Sequence, residues 1–109
     1  MKLTELKPHF LKIIDASNFK IVRSIKKDDG IEFLCPVCFK NNNNSSKGVH
    51  SVICWQPKVS QNIDPKPGRW NFVGTSFKDL ELKNGSSSIL LHGGCNAHFW
   101  IRNGEIIFT

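Results

Sequence analysis

The sequence predicts a mainly β fold, β-rich α+β in class, in which a small antiparallel sheet domain is stapled by a zinc site between two turns. Short segments alternate apolar and polar residues at the two-residue period of a strand, and glycine-containing turns separate them. The cysteines include two short motifs about sixty residues apart. At 109 residues the chain is expected to form one zinc-stabilised domain, residues 1–109, small enough for a structural metal to contribute materially to stability.

The amino-terminal segment is consistent with two structures. Leu6, Phe10 and Ile13 recur at helical spacing, but Pro8 lies inside that pattern and disfavours a helix that runs through it. Either a helix that begins at Pro8 or a short amphipathic strand fits these residues. Residues 19–25 then alternate apolar and polar side chains, which predicts a half-buried strand.

Two more strands are predicted on either side of the first cysteine motif. Residues 31–34 form a short apolar run that leads directly into Cys35, and residues 49–55 form the next alternating segment. The polar stretch 41–48 between them has no packing side chain and is expected to be a loop. Residues 56–69 contain several prolines, which exclude a central strand or a helix and predict a long structured loop.

Two Asn-Gly pairs predict hairpins in the carboxy-terminal part, because this pair favours the tight turn between antiparallel strands. Asn84-Gly85 is expected to join strands at residues 77–83 and 88–91. Asn103-Gly104 is expected to join the last two strands within residues 99–108. The carboxy-terminal half is therefore predicted to consist of short strands and tight turns.

The two cysteine motifs predict a closed zinc site. Cys35 and Cys38 stand in a Cys-x-x-Cys turn, and Cys95 and His98 stand in a Cys-x-x-His turn. Thiolate and imidazole are the ligands that Zn²⁺ prefers, and four of them complete a tetrahedron. A site with four protein ligands stabilises a fold and leaves no position for an activated water.

Three further residues, His50, Cys54 and His92, are alternative ligands or reactive groups. In a strand, His50 and Cys54 lie about 13 Å apart from strand rise alone, too far to share one ligand sphere without a bulge. Either can still replace a ligand of the first set. Cys54 with His50 or His92 as base would make a nucleophilic enzyme. A buried cysteine beside a hydrogen-bonded histidine is the favoured interpretation, so we assign no catalytic residue.

The charge of the chain suggests an acidic partner. The formal net charge is +6, from 15 basic and 9 acidic residues. This balance suits either nucleic acid or an acidic protein surface, although scattered lysines also fit a solvated face. Lys66, Arg69, Trp70 and Arg102 combine cationic and aromatic side chains, and we expect them to form the partner-binding surface. The chain is expected to be a monomer or a homodimer.

The sequence predicts a cytoplasmic protein without a membrane segment. No run approaches the roughly 20 apolar residues that span a bilayer. The first residues carry charge, and Pro8 stands where a signal peptide would have its apolar stretch. Because cytosolic thiols stay reduced, the four cysteines favour metal binding or catalysis over disulfides.

Several motifs occur together in a fixed order: Cys-Pro-x-Cys at residues 35–38, His-Ser-Val-Ile-Cys-Trp at 50–55, Pro-Gly-Arg-Trp at 67–70 and Gly-Gly-Cys-Asn-Ala-His-Phe at 93–99. In this combination the chain resembles an uncharacterised family, a domain of unknown function found in tailed phages, prophages and some bacterial gene clusters. Some phage members carry an ammonia monooxygenase label, but this chain has neither a copper-type histidine cluster nor a membrane segment to support it. The resemblance implies a phage or prophage origin and a metal-binding fold.

These observations lead to a functional hypothesis of a small zinc-binding module. The resemblance implies that it acts in the cytoplasm of a host cell and binds a host protein, one such role being inhibition of a defence system. A nucleic-acid-binding zinc protein is one alternative. A Cys/His- or metal-dependent enzyme is the other.

Overall fold

The computed structural model describes residues 1–66, 68–83, 88–91 and 95–109. In these residues the chain forms three small antiparallel sheets with little helix, which confirms the mainly β prediction. One sheet has four strands, one has two and one has three.

The four-stranded sheet contains the first half of the chain, in the strand order β2-β1-β3-β4. A short 3₁₀ helix, Leu3–Leu6, precedes it, and the helix α1, Pro36–Asn41, lies between its last two strands. Its strands are β1 (His9–Asp15), β2 (Asn18–Val22), β3 (Gly30–Leu34) and β4 (Ser51–Trp55).

The ambiguous segment after Pro8 is a strand and not a helix. Phe10 of β1 lies opposite Val22 of β2 on one side and opposite Ile31 of β3 on the other. Pairing on both sides satisfies the main-chain polar groups of residues 9–11 within the sheet. The residues Phe10 and Leu11 point to opposite faces and are both buried, so both faces of this strand are covered.

The second half of the chain forms the two smaller sheets. The strands β5 (Asn71–Val73) and β6 (Glu81–Lys83) form the two-stranded sheet. The order β7-β8-β9 forms the three-stranded sheet, from Ile89–Leu90, His98–Arg102 and Glu105–Phe108.

The predicted hairpin between residues 77–83 and 88–91 is wrong, because β6 pairs with β5 and β7 pairs with β8. The carboxylate of Asp79 accepts hydrogen bonds from the backbone N–H groups of Thr75 and Ser76, at 2.9 Å each. This closed turn returns the chain so that β6 lies beside β5. The Asn84-Gly85 pair lies outside the described residues.

The second predicted hairpin is confirmed. Asn103 and Gly104 connect β8 to β9 with φ angles of 48° and 73°, the left-handed conformation that a two-residue hairpin turn requires. At Gly104 a side chain would also collide with the carbonyl group of Lys78. Glycine is needed there for both reasons.

One apolar core joins the three sheets. Phe33 of β3 contacts Phe99 of β8 edge to face, with ring centroids 6.0 Å apart. Phe10 of β1 stacks on Phe77, with centroids 4.0 Å apart. The buried members of this core are Leu3, Leu6, Phe10, Ile31, Phe33, Cys35, Phe39, Val52, Cys54, Leu80, Leu82, Ile89, Ala97, Phe99, Ile101 and Ile106.

A second apolar cluster attaches the long loop to the other face of the four-stranded sheet. It contains Leu11, Trp55 and Val59, and the indole N–H of Trp55 donates to the carbonyl oxygen of Asp64 at 2.9 Å. Gly30 lies opposite Trp55, where any side chain would overlap the indole ring. Trp55 therefore anchors the loop predicted between residues 56 and 69 to the sheet.

Two adjacent aspartates connect β1, β3 and the start of this loop. The Asp29 carboxylate accepts a hydrogen bond from the Ile13 N–H at 2.7 Å and lies 3.3 Å from the Lys58 ammonium. Asp28 is 1% exposed, and its Oδ1 accepts a hydrogen bond from Gln56. Its Oδ2 has no hydrogen-bond partner among the described residues. Burial, only partly offset by Gln56, raises the pKa of the Asp28 carboxyl to about 6.

We predict that Asp28→Asn stabilises the protein increasingly as the pH rises from about 4 to about 7. The raised pKa means that the folded state retains the proton more strongly than the unfolded chain. The free energy of unfolding of the wild type therefore falls over this pH range, by up to about 3 kcal/mol. Asparagine does not titrate, so the difference in Tm between variant and wild type should grow with pH in thermal unfolding.

The matched control for this prediction is Asp64→Asn, because the Asp64 side chain is 81% exposed. Because that side chain is exposed, we expect the substitution to change Tm little. A difference in Tm for Asp28→Asn that does not grow with pH would contradict the prediction.

Candidate metal centre

The first part of the centre is built where β3 ends. Cys35 follows β3 directly and is fully buried, and Pro36 then begins α1, which places Cys38 in the first turn of the helix. The Cys35 N–H donates to the carbonyl oxygen of His50 at 2.9 Å, so the pairing of β3 with β4 extends one step beyond both strands. That step brings His50 beside the Cys-x-x-Cys turn.

The second part comes from the connection that leads into β8. Cys95 stands just before β8, and the Leu91 N–H donates to the carbonyl oxygen of Ala97 at 2.8 Å. The Cys95 sulfur lies 3.6 Å from the Cys35 sulfur and 3.5 Å from Nε2 of His50. Ligand atoms of Cys35, Cys38, His50 and Cys95 all lie within 4.8 Å of one another.

The two distances from the Cys95 sulfur match those around a tetrahedral metal ion. Metal–sulfur bonds of 2.3 Å and metal–nitrogen bonds near 2.0 Å place tetrahedral ligands about 3.8 Å apart for two sulfurs and about 3.6 Å apart for sulfur and nitrogen. A disulfide would require sulfurs about 2.05 Å apart, far shorter than the distance between Cys35 and Cys95. The four residues are therefore arranged to hold a metal ion.

The three thiols of the centre differ in their acidity. Burial raises the pKa of Cys35 to about 12 and also raises that of Cys38. Burial acts in the same direction on Cys95, but hydrogen bonds from the Ala97 N–H and from His50 outweigh it and lower the pKa of that thiol to about 7. Cys95 is thus the thiol that most readily supplies a thiolate, and a cation is needed to hold three thiolates together.

In the structure His50, which the sequence offered as an alternative ligand, lies with the three cysteines, and His98 does not. His98 begins β8, and the next residue, Phe99, is buried in the core, so alternation along the strand directs His98 to the exposed face. The Cys-x-x-His spacing therefore does not form a second turn of ligands. Strand register distinguishes the two histidines, since continuing the pairing of β3 with β4 places His50 opposite Cys35.

Of the other two alternative residues, Cys54 does not join the centre. Cys54 lies in β4 opposite Ile31 with 0% exposure, and burial raises the pKa of its thiol well above the usual range. It packs as a small apolar core residue and is not a solvent-accessible nucleophile. His92 lies outside the described residues.

The residues predicted to bind a partner separate into two groups. Lys66 and Trp70 line a cavity of about 820 Å³ that Cys38, His50 and Cys95 also line. Arg102, by contrast, lies over the Trp100 ring at 4.4 Å and is not among the residues that line this cavity.

Arg69 has an internal role in the loop. Its guanidinium donates to five main-chain carbonyl oxygens, at distances from 2.7 to 3.0 Å. A guanidinium has five N–H donors, and the loop supplies an acceptor for each contact. The acceptors belong to Val59, Ser60, Ile63, Pro65 and Gly68.

Comparisons of the chain with protein-family models, curated proteins and solved structures found no match. The resemblance to the phage family therefore stays a prediction, and the site is interpreted from its own geometry. Among the described residues, no helix is long and apolar enough to cross a membrane.

We predict that His50→Ala weakens metal binding by roughly two orders of magnitude, because it removes one of four ligands. Titration with Co²⁺ measures this directly, since thiolate–cobalt charge-transfer absorption reports formation of the site. The matched control is His98→Ala, which should bind Co²⁺ like the wild type. Weak Co²⁺ binding by His98→Ala together with wild-type binding by His50→Ala would favour His98 as the fourth ligand.

We predict that Arg69→Lys lowers the free energy of unfolding by about 2 kcal/mol or more, because lysine keeps the charge but cannot contact five carbonyl groups at once. Urea unfolding measures the loss. Hydrogen exchange of the Trp70 amide, which donates to the Trp55 carbonyl oxygen at 3.0 Å, should also accelerate. Arg102→Lys is the control and should stay near the wild type. Equal effects of the two substitutions would contradict the internal role of Arg69.

Proposed function

We propose that this chain is a zinc-stabilised binding module whose partner is a protein. The observation that carries the proposal is the convergence of Cys35, Cys38, His50 and Cys95, whose ligand atoms all lie within 4.8 Å of one another. Three cysteines and one histidine are a donor set typical of structural zinc. Softer or harder metals prefer other sets, such as thiolates alone or carboxylates.

The proposed role of the zinc is to connect two distant parts of the chain. Cys35 and Cys38 belong to the β3–α1 corner, whereas Cys95 belongs to the connection before β8. Four protein ligands would leave no open position, so the metal acts on stability and not on a substrate. Because an unfolded chain has no preformed site, the free energy of zinc binding adds to that of folding.

A protein partner is favoured by the cavity beside this centre. Its lining is mostly apolar. Among the described lining residues, Lys66 is the one lysine or arginine, and there is no aspartate or glutamate. Such a lining suits apolar side chains of a protein and offers few cations to the phosphates of a nucleic acid. The phage-type resemblance would make the partner a host protein, one such partner being a component of a defence system that the module inhibits.

The zinc proposal is tested by elemental analysis of tag-free protein purified without added zinc. We expect one zinc per chain in the wild type. Cys35→Ser and Cys95→Ser should lose both the zinc and several degrees of Tm, because each removes a ligand. Cys54→Ser should retain the zinc, since Cys54 lies outside the centre.

Two results would contradict the proposal. Well-folded wild-type protein without metal would remove the zinc. Tight binding of a single-stranded DNA oligonucleotide that falls steeply with salt would favour nucleic acid over a protein as the partner.

A further inference from the structure

The cavity beside the metal centre lies between the edges of two different sheets. On one wall is β4, the last strand of the four-stranded sheet, and on the other is β7, the first strand of the three-stranded sheet. Edge strands present N–H and C=O groups that no neighbouring strand satisfies. The direction of those groups decides what this cavity recognises.

Along β4, the main-chain groups of alternate residues point into the cavity. The main-chain groups of His50 point towards β3, because its carbonyl oxygen accepts the Cys35 N–H. Those of Trp55 point the other way, because its carbonyl oxygen accepts the Trp70 N–H. Because main-chain groups alternate in direction along an antiparallel ladder, the N–H and C=O groups of Ser51 and Ile53 point away from β3. Among the described residues, neither has a main-chain hydrogen bond on that outer side.

Along β7, Leu90 is directed outward in the same way. Its ladder partner is His98, and the carbonyl oxygen of His98 accepts the Thr109 N–H from the β9 side. Leu90 and His98 therefore form a non-hydrogen-bonded pair, which turns the Leu90 N–H and C=O away from β8. The Leu90 side chain is 48% exposed.

The chain itself already pairs with one end of the β4 edge. Arg69 forms a parallel bridge with Trp55, and the Trp70 N–H donates to Trp55 before the chain leaves towards β5. The unpaired groups of Ser51 and Ile53 continue the same edge beyond that point. This edge therefore already accepts an extended segment, and its remaining length is open among the described residues.

The side chains that line the cavity suit an extended peptide. Leu90 is half-exposed there and Trp70 is half-buried. Lys66 also lines the cavity, and its ammonium lies 3.9 Å from the Asp64 carboxylate at the surface. Strand addition takes its affinity from main-chain hydrogen bonds and its specificity from pockets for alternate side chains.

We infer that the groove between β4 and β7 binds an extended peptide segment of the partner protein, which adds a strand to one or both sheet edges. This inference rests on the proposed function and names the form in which the partner is recognised. The segment would carry apolar side chains at alternate positions and an acidic residue near Lys66.

Proline substitutions test the inference because they remove the outward N–H while leaving the inner ladder intact. Leu90→Pro and Ile53→Pro each delete one such group. Leu90→Thr and Ile53→Thr are the matched controls, since they lose the same apolar side chain but keep the N–H and a good strand former. Circular dichroism and zinc content establish that each variant is folded before binding is measured.

The probe is a displayed library of random ten-residue peptides, selected in parallel on the zinc-loaded wild type and on the double variant Ile53→Pro, Leu90→Pro. Peptides enriched only on the wild type are synthesised, both unmodified and N-methylated at alternate residues. Fluorescence anisotropy then gives their Kd values for each protein.

We expect each proline substitution to weaken binding at least tenfold, whereas each threonine control stays within about threefold of the wild type. N-methylation of one of the two alternating sets of peptide residues should also weaken binding at least tenfold. Equal enrichment on the wild type and the double variant would overturn the inference. So would equal Kd values for the proline and threonine variants.

Failure of the groove is distinguishable from failure of the proposed function. A partner protein that binds the wild type and the proline variants alike would overturn the groove and leave the zinc-stabilised binding module standing. Absence of zinc from the folded wild type would overturn the module itself, whatever the peptides do.

Discussion

The structure depends on the register between β3 and β4. Gly30 lies opposite Trp55 at one end of this pair, and the Cys35 N–H contacts the His50 carbonyl oxygen beyond the other. A shift of one residue would turn every side chain of β4 to the opposite face. Trp55 would leave the cluster that holds the long loop, and His50 would leave the three cysteines. One ladder therefore positions both the loop and the metal centre.

The protein combines two means of holding distant segments together. The apolar core joins the three sheets through contacts such as that between Phe33 and Phe99. The cysteine and histidine cluster lies at the border of this core, with Cys35 buried and Cys38 and Cys95 partly exposed. A chain of 109 residues buries a limited apolar area, so a metal at this border would stabilise the edge of the core.

The sequence was sufficient to predict features set by local pattern. Alternation predicted β2 and β4 but left β1 open between a helix and a strand, Asn103-Gly104 predicted the last hairpin, and the two motifs identified three of the four clustered residues. The remaining features depend on pairing between distant segments. The choice of His50 over His98 follows from strand register, and β6 pairs with β5 because the Asp79 turn returns the chain. Neither register nor sheet partner is encoded by residue spacing alone.

The contacts of Arg69 have a consequence for how the loop tolerates variation. All five acceptors are main-chain oxygens, which every amino acid supplies. The exposed side chains of Asn62 and Lys66 are not part of this clasp, whereas the Ser60 hydroxyl accepts the Asn62 N–H at 3.1 Å. Substitution of Asn62 or Lys66 would therefore leave the contacts of Arg69 intact. The loop can acquire new surface chemistry at such positions while Arg69, Ser60 and Trp55 hold its backbone in place.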